Sequence, residues 1–299
     1  MAKKPEVLVS TDIVGIWGNF DQLWQIYAQS LSALGGEKIA IEMLAWQHLI
    51  KNSSKLEKHP QLSIRGIHGP TGHFMAAPGI IEKAKAIFFQ NIMADLETVV
   101  KARPDLFQAG QADNYLLVHE PELRRKGRIE TLVSMNYPGH ILVENVLDVG
   151  SLQATSEKVK VLRDQKVSAG IMIDLVHLIK EYTQSLKTLH TLDQKTFNET
   201  WLRVLKTVEV TINQLPKSGL HIPIGINGDS LPLELMTKQH WRDLAQVIKK
   251  LGEKIHWLTI ENQPTDFDLN AFVVQPSMIS FLADRNQKIT ADLAENEVI

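Results

Sequence analysis

The chain has 299 residues, 44% of them hydrophobic and 22% charged, which provides for a sizeable core under an ordinary charged surface. Net charge is −2 and cysteine is absent. These values exclude disulfides and thiolate chemistry, argue against a general polyanion binder, and leave His, Asp, Glu, Asn or water to hold any metal. The opening MAKKPEVLVS carries no apolar segment ahead of its first strand-like run, and no stretch of 18 apolar residues follows. Neither a secretory signal nor a membrane span is expected, and the cytoplasm is the simplest location.

The chain alternates short apolar runs with longer amphipathic stretches. EVLVSTDI (6–13) reads as a first strand, followed by a helical stripe of Phe20, Leu23, Trp24, Tyr27, Leu31 and Leu34 that stops at Gly35-Gly36. KIAIEML (38–44) and LSIRGIH (62–68) are the second and third strands. GPTGHFMAAPG (69–79) reads as a long loop, and a helix after it is expected to run to about Lys101, before ARPDLFQAGQADN leads to the fourth strand, YLLVHE (115–120). The short helical pattern RKGRIETLVSM precedes HILVEN (140–145), and AGIMID (169–174) is the sixth strand. The polar stretch 183–196 reads as a loop ahead of a helix carrying Phe197, Trp201, Val204, Leu205, Val208, Ile212 and Leu215. IPIGIN (222–227) is the seventh strand. The stripe Trp241, Leu244, Val247, Ile248 and Leu251, stopped by Gly252, leads to the eighth, IHWLTIEN (255–262).

Near-continuous, β-branched runs suit strands buried on both faces, as in a parallel sheet. Eight strand–helix alternations without a break in composition predict an α/β protein, a single (β/α)8 TIM barrel forming one domain over 1–299. A doubly wound open sheet is the alternative, but its GxGxxG turn is missing after the first strand.

In such a barrel, catalytic groups stand at the carboxyl ends of the strands. His68, His119, Glu144, Asp174 with His177, Asn227 with Asp229, and Glu261 fall there on strands three to eight, and Asp12 and Glu42 finish the first two. The dyads Glu144-Asn145 and Glu261-Asn262 end two apolar runs in the same way. A carboxylate there is costly to bury unless a metal, a cation or a substrate hydroxyl receives it. The expectation is one shared polar site formed by His68, His119, Glu144, Asp174, His177 and Glu261, which either holds a metal ion or binds sugar hydroxyls directly. Asn145, Asn227, Asp229 and Asn262 are expected to contact substrate. GINGDS offers backbone N–H groups to a phosphate or is a plain turn into the seventh helix.

The ordered motifs IRGIHG, LLVHEPE, ILVEN, GIMIDLVH, IGINGDS and LTIEN resemble the xylose-isomerase-like barrel superfamily across essentially the whole chain. That group includes sugar isomerases and epimerases and zinc-dependent apurinic-site endonucleases. The resemblance implies metal ligands at Glu144, Asp174 and Glu261, and endonuclease-like ligands at His68, His119 and the Asp174/His177 pair. Two departures accompany it. The family's seventh-strand histidine has no counterpart in IPIGIN, so Asn227 or Asp229 would substitute. The D-x-H of a third zinc site is absent from SLPLELM.

A divalent ion (Zn, Mn or Mg) in this pocket stabilises an enediolate, and Glu144 and Glu261 on opposite sides of a substrate carbon exchange its proton. This points to an isomerase or epimerase acting on a small sugar, sugar phosphate or polyol. A metal-dependent hydrolase or lyase and a non-catalytic barrel with a degenerate site are the alternatives. Nucleic acid and membrane are not expected as partners, and homo-oligomerisation is left open.

Overall fold

Eight parallel strands hydrogen-bond in chain order and the eighth pairs with the first, so the sheet closes on itself as a (β/α)8 TIM barrel. The computed structural model describes residues 5–11, 19–30, 34, 37–45, 50–69, 113–146, 151–183, 189–215, 217–225, 230–263 and 276–299. The strands are β1 (Glu6–Ser10), β2 (Ile39–Leu44), β3 (Leu62–His68), β4 (Tyr115–His119), β5 (His140–Glu144), β6 (Ala169–Asp174), β7 (Ser218–Gly225) and β8 (Ile255–Gln263). The helices are α1 (Phe20–Tyr27), α2 (Glu120–Leu123), α3 (Arg128–Ser134), α4 (Leu152–Asp164), α5 (Leu175–Thr183), α6 (Gln194–Gln214), α7 (Lys238–Leu251) and α8 (Pro276–Glu295). No helix among the described residues is long and apolar enough to cross a membrane.

Side chains alternate across each strand with a period of two. Ile39, Ile41 and Met43 of β2, Ile171 and Ile173 of β6, and Leu220, Ile222 and Ile224 of β7 join the large core between strands and helices. The opposite parity faces the barrel axis, where Leu8, Ala40, Tyr115, Leu117, Leu142, Met172 and Trp257 form a second, separate core. Both strand faces are thus buried, which explains the unbroken apolar runs. One step further along the same inward parity the composition switches to Ser10, Glu42, His68, His119, Glu144, Asp174, His221, Thr259 and Glu261, all buried. The polar site therefore rests on an apolar plug.

Several boundaries differ from the sequence reading for local reasons. β4 ends at His119 because Pro121 lacks the N–H a strand needs and instead opens α2. β1 stops at Ser10, and the Thr11 hydroxyl accepts the Leu44 N–H at 2.9 Å. α6 begins at Gln194, where the Asp193 carboxylate caps the Thr196 N–H, so the predicted loop over 183–196 ends earlier. α7 stops at Gly252 as expected, with that residue at φ 51°. β7 runs from Ser218 to Gly225, four residues ahead of the predicted start. Asp12, Gly35-Gly36, residues 70–79 of the predicted loop, the helix expected towards Lys101 and most of GINGDS (226–229) lie outside the described residues.

Gly66 on β3 admits the ring of Tyr115: a Cβ there would lie 2.3 Å from Tyr115 Cζ. Gly66→Ala is expected to lower stability by about 1–3 kcal/mol, the usual cost of forcing extra volume into a packed interior. A denaturant titration checks this, and an unchanged midpoint would contradict it.

Candidate metal centre

The inward parity and strand register bring the donors together. His119 of β4 stands opposite Glu144 of β5, and Asp174 of β6 opposite His221 of β7. His68 Nε2, His119 Nε2 and Glu144 Oε2 form a triangle with sides of 3.2, 2.6 and 3.6 Å. Donors bound tetrahedrally at about 2.0 Å from one ion lie about 3.3 Å apart, so this triangle has the size of one face of such a site. Two imidazole nitrogens pointing at each other beside a carboxylate are awkward as a hydrogen-bond network but natural around a cation.

A second trio comprises Glu144, Asp174 and His221, with donor atoms within 4.8 Å of one another. Glu144 Oε1 lies 2.7 Å from His221 Nδ1, and Glu261 Oε2 lies 3.9 Å from the same nitrogen. The two oxygens of Glu144 therefore face different trios, Oε2 towards His68 and His119 and Oε1 towards His221. A third trio, Glu42, His68 and His221, lies on the far side of the two rings. The donor set is nitrogen and oxygen only, which suits zinc or manganese.

Electrostatics follow from burial opposed by pairing. Burial pushes the Glu144 carboxyl up, but the charges of His221 and His119 outweigh it and hold the group well below the ordinary carboxylate value. Glu42 is lowered in the same way by His221 and His68. Burial disfavours the charged form of His221, yet Glu42 and Glu144 raise it well above its usual value, and His68 is raised likewise. His119 is lowered, chiefly by burial. Asp174 is raised by burial despite the opposing charge of His177.

Of the predicted residues, His68, His119, Glu144 and Asp174 are donors in these trios, and Glu261 stands beside them. His177 lies in the first turn of α5 and joins none of the trios. Its ring Nδ1 is 3.0 Å from the Asn145 carbonyl and 3.9 Å from Asp174 Oδ2, while its backbone N–H donates to Asp174 Oδ1 at 2.8 Å. The D-x-x-H spacing thus also makes a helix-capping contact. The Asn145 amide ties β5 to β6, accepting the Asp174 N–H at 2.8 Å and donating to its carbonyl at 3.3 Å. Asn227 and Asp229 lie outside the described residues, as does the side chain of Asn262.

Two residues of the site escaped the sequence reading. β7 carries a buried histidine, His221, earlier in the chain than IPIGIN, and it stands among the candidate donors. The signal was available in Leu220, Ile222 and Ile224, whose alternation puts His221 on the other face. Glu42 was placed at the end of the second strand but given no role, although Ile39, Ile41 and Met43 mark it as inward in the same way.

No family model and no curated protein matches the chain. Among solved structures it is similar to a dihydropteroate synthase from Xanthomonas albilineans in complex with 7,8-dihydropteroate, at 8% identity and TM-score 0.40, over 95% of this chain and 94% of that one. A psychrophilic family 10 endo-β-1,4-xylanase matches at 12% identity and TM-score 0.41, over 94% and 96%. An uncharacterized protein from Clostridium thermocellum that binds two copies of 5-methyl-5,6,7,8-tetrahydrofolic acid matches at 11% and 0.34, over 96% and 97%. Likenesses this distant carry no argument about function, and the barrel assignment rests on the strand pairing itself.

Proposed function

We propose that the protein is a divalent-metal-dependent enzyme of the xylose-isomerase-like kind, with a two-ion centre bridged by Glu144, that cleaves a small substrate as a hydrolase or lyase. The observation that carries this reading is the division of the Glu144 oxygens between the His68/His119 pair and His221. Without cations, the same cluster is a buried set of ionised pairs, which stabilises a fold poorly for its desolvation cost. Ions held by these residues would supply Lewis acidity towards a substrate oxygen or a water molecule. Glu261, 9% exposed, is the carboxylate nearest to solvent among Glu42, Glu144, Asp174 and Glu261, so it is the group to exchange a proton with substrate. Asp174 is fixed by its contacts with Asn145 and His177.

A second reading is an isomerase or epimerase of a small sugar, sugar phosphate or polyol. It is favoured by Glu144, Asp174 and His221 with Glu261 alongside, a complete one-ion set with two glutamates. Zinc and manganese titration of the metal-free protein, followed by assays on phosphate and carboxylic esters and on a ketose and aldose panel, separates the two. Two equivalents with esterase-type turnover support the first. One equivalent with interconversion of sugars supports the second, and no uptake removes both.

Metal must displace protons from His68 and His221, so affinity is expected to rise with pH and binding to release protons. The metal-free protein should instead lose stability at both ends of the pH range. Glu42 and Glu144, held low, contribute stability above their ordinary value of 4.5 that is lost as pH falls through their folded values. His68 and His221, held high, contribute stability below their ordinary 6.5 that is lost as pH rises through theirs. Calorimetry in buffers of different ionisation enthalpy measures the released protons; a pH-independent affinity would contradict this.

A further inference from the structure

We infer that Glu42, lying outside both proposed ion positions, is a positioning residue that fixes the tautomers of two metal ligands at once, one at each position. This rests on the two-ion reading above. Glu42 is fully buried on β2, with Oε1 at 3.2 Å from His68 Nδ1 and Oε2 at 3.0 Å from His221 Nε2. In each ring this is the nitrogen opposite the one that faces Glu144. A carboxylate only accepts hydrogen bonds, and a neutral imidazole has one N–H and one lone pair. Glu42 therefore requires hydrogen on His68 Nδ1 and on His221 Nε2. The lone pairs left for the ions are His68 Nε2 and His221 Nδ1, so the two histidines bind through chemically different nitrogens.

The carboxylate is itself held in place. Tyr115 donates its hydroxyl to Glu42 Oε2, and the Thr259 hydroxyl lies 3.4 Å from the same oxygen. Burial and the Glu42 charge push the Tyr115 phenol well up, so it remains a donor. The rival is a deeper ion held by Glu42, His68 Nδ1 and His221 Nε2. That arrangement sets an ion against an oxygen already occupied by a phenol and points the remaining His68 N–H at the His119 ring nitrogen, 3.2 Å away. The positioning role keeps the phenol on Glu42 and both of its imidazole hydrogen bonds.

The test is zinc titration of metal-free wild-type protein and Glu42→Gln, together with histidine side-chain 15N NMR of the zinc-loaded wild type. A glutamine accepts from one ring but turns its amide N–H towards the other, inverting that tautomer. Glu42→Gln is expected to keep the wild-type stoichiometry at saturating zinc while the affinity of the position whose ring is inverted falls about 10–100-fold, the usual cost of removing a ligand-orienting partner. In the wild type, His68 is expected to bind through Nε2 and His221 through Nδ1, a readout that stands even if the variant does not fold. Unchanged affinities with only a shifted melting temperature would make Glu42 merely structural. Loss of one equivalent with the other affinity intact would make it a ligand, and binding of both rings through the same kind of nitrogen would overturn the tautomer argument. A wild type that binds no zinc removes the two-ion reading first, and this inference with it.

Discussion

Glu144→Gln is expected to lower turnover by at least about 100-fold and to weaken metal binding at both ion positions, because a neutral amide cannot replace a carboxylate oxygen at each; loss of one orienting partner alone costs about 10–100-fold. Changing His68 or Asp174, by contrast, should weaken one position first. The metal-free variant should also be less stable. Removing the charge leaves protonated His221 with Glu42 at 3.0 Å and Glu261 at 3.9 Å, and breaking a buried pair costs on the order of 3–5 kcal/mol at most. That deficit should shrink as pH rises, since His221 then sheds its proton in the wild type too. Isothermal titration with zinc and denaturant melts at two pH values test both parts. A variant that keeps one ion at wild-type affinity would show that Glu144 does not bridge.

Glu261→Gln compared with His177→Ala on the same substrate gives the second large effect. Glu261 is beside the His221 trio and nearest the mouth, so losing its basicity should cost at least about 100-fold in kcat, the typical worth of a general base. His177 lies against the Asn145 carbonyl and outside the trios, so about a 10-fold loss is the most expected from its removal. Equal collapse in both variants would give His177 a ligand's role, as in a multi-zinc hydrolase. Full activity in Glu261→Gln would remove proton transfer by this residue from either reading.

Most of the barrel was legible because both strand faces are buried and each run is therefore apolar over its whole length, as in LLV of β4 and ILV of β5. The polar residue that closes such a run marks the barrel mouth, which is how His68, His119, Glu144 and Asp174 were found. β7 was misjudged because Ser218-Gly219 looks like the end of a turn, whereas Gly219 is needed inside the barrel: a Cβ there would lie 2.7 Å from Met172 Sδ. Starting the strand after His221 hid that residue and made the ligand set look incomplete. Glu42 was hidden differently. A residue that acts on other ligands rather than on a substrate has no motif of its own, and only the distances to His68 and His221 reveal it.

The pairing of β8 with β1, Glu6 opposite Trp257, joins the two ends of the described barrel. Closure over so long a stretch of chain is a late and slow event in folding. The donors run from His68 on β3 to His221 and Glu261 on β7 and β8, so a nascent chain still short of its last strands holds only part of the set. Zinc added to refolding protein should therefore be taken up after helix content has recovered and at the rate of seam closure. Ion uptake becomes a clock for the last topological step, read without any substrate.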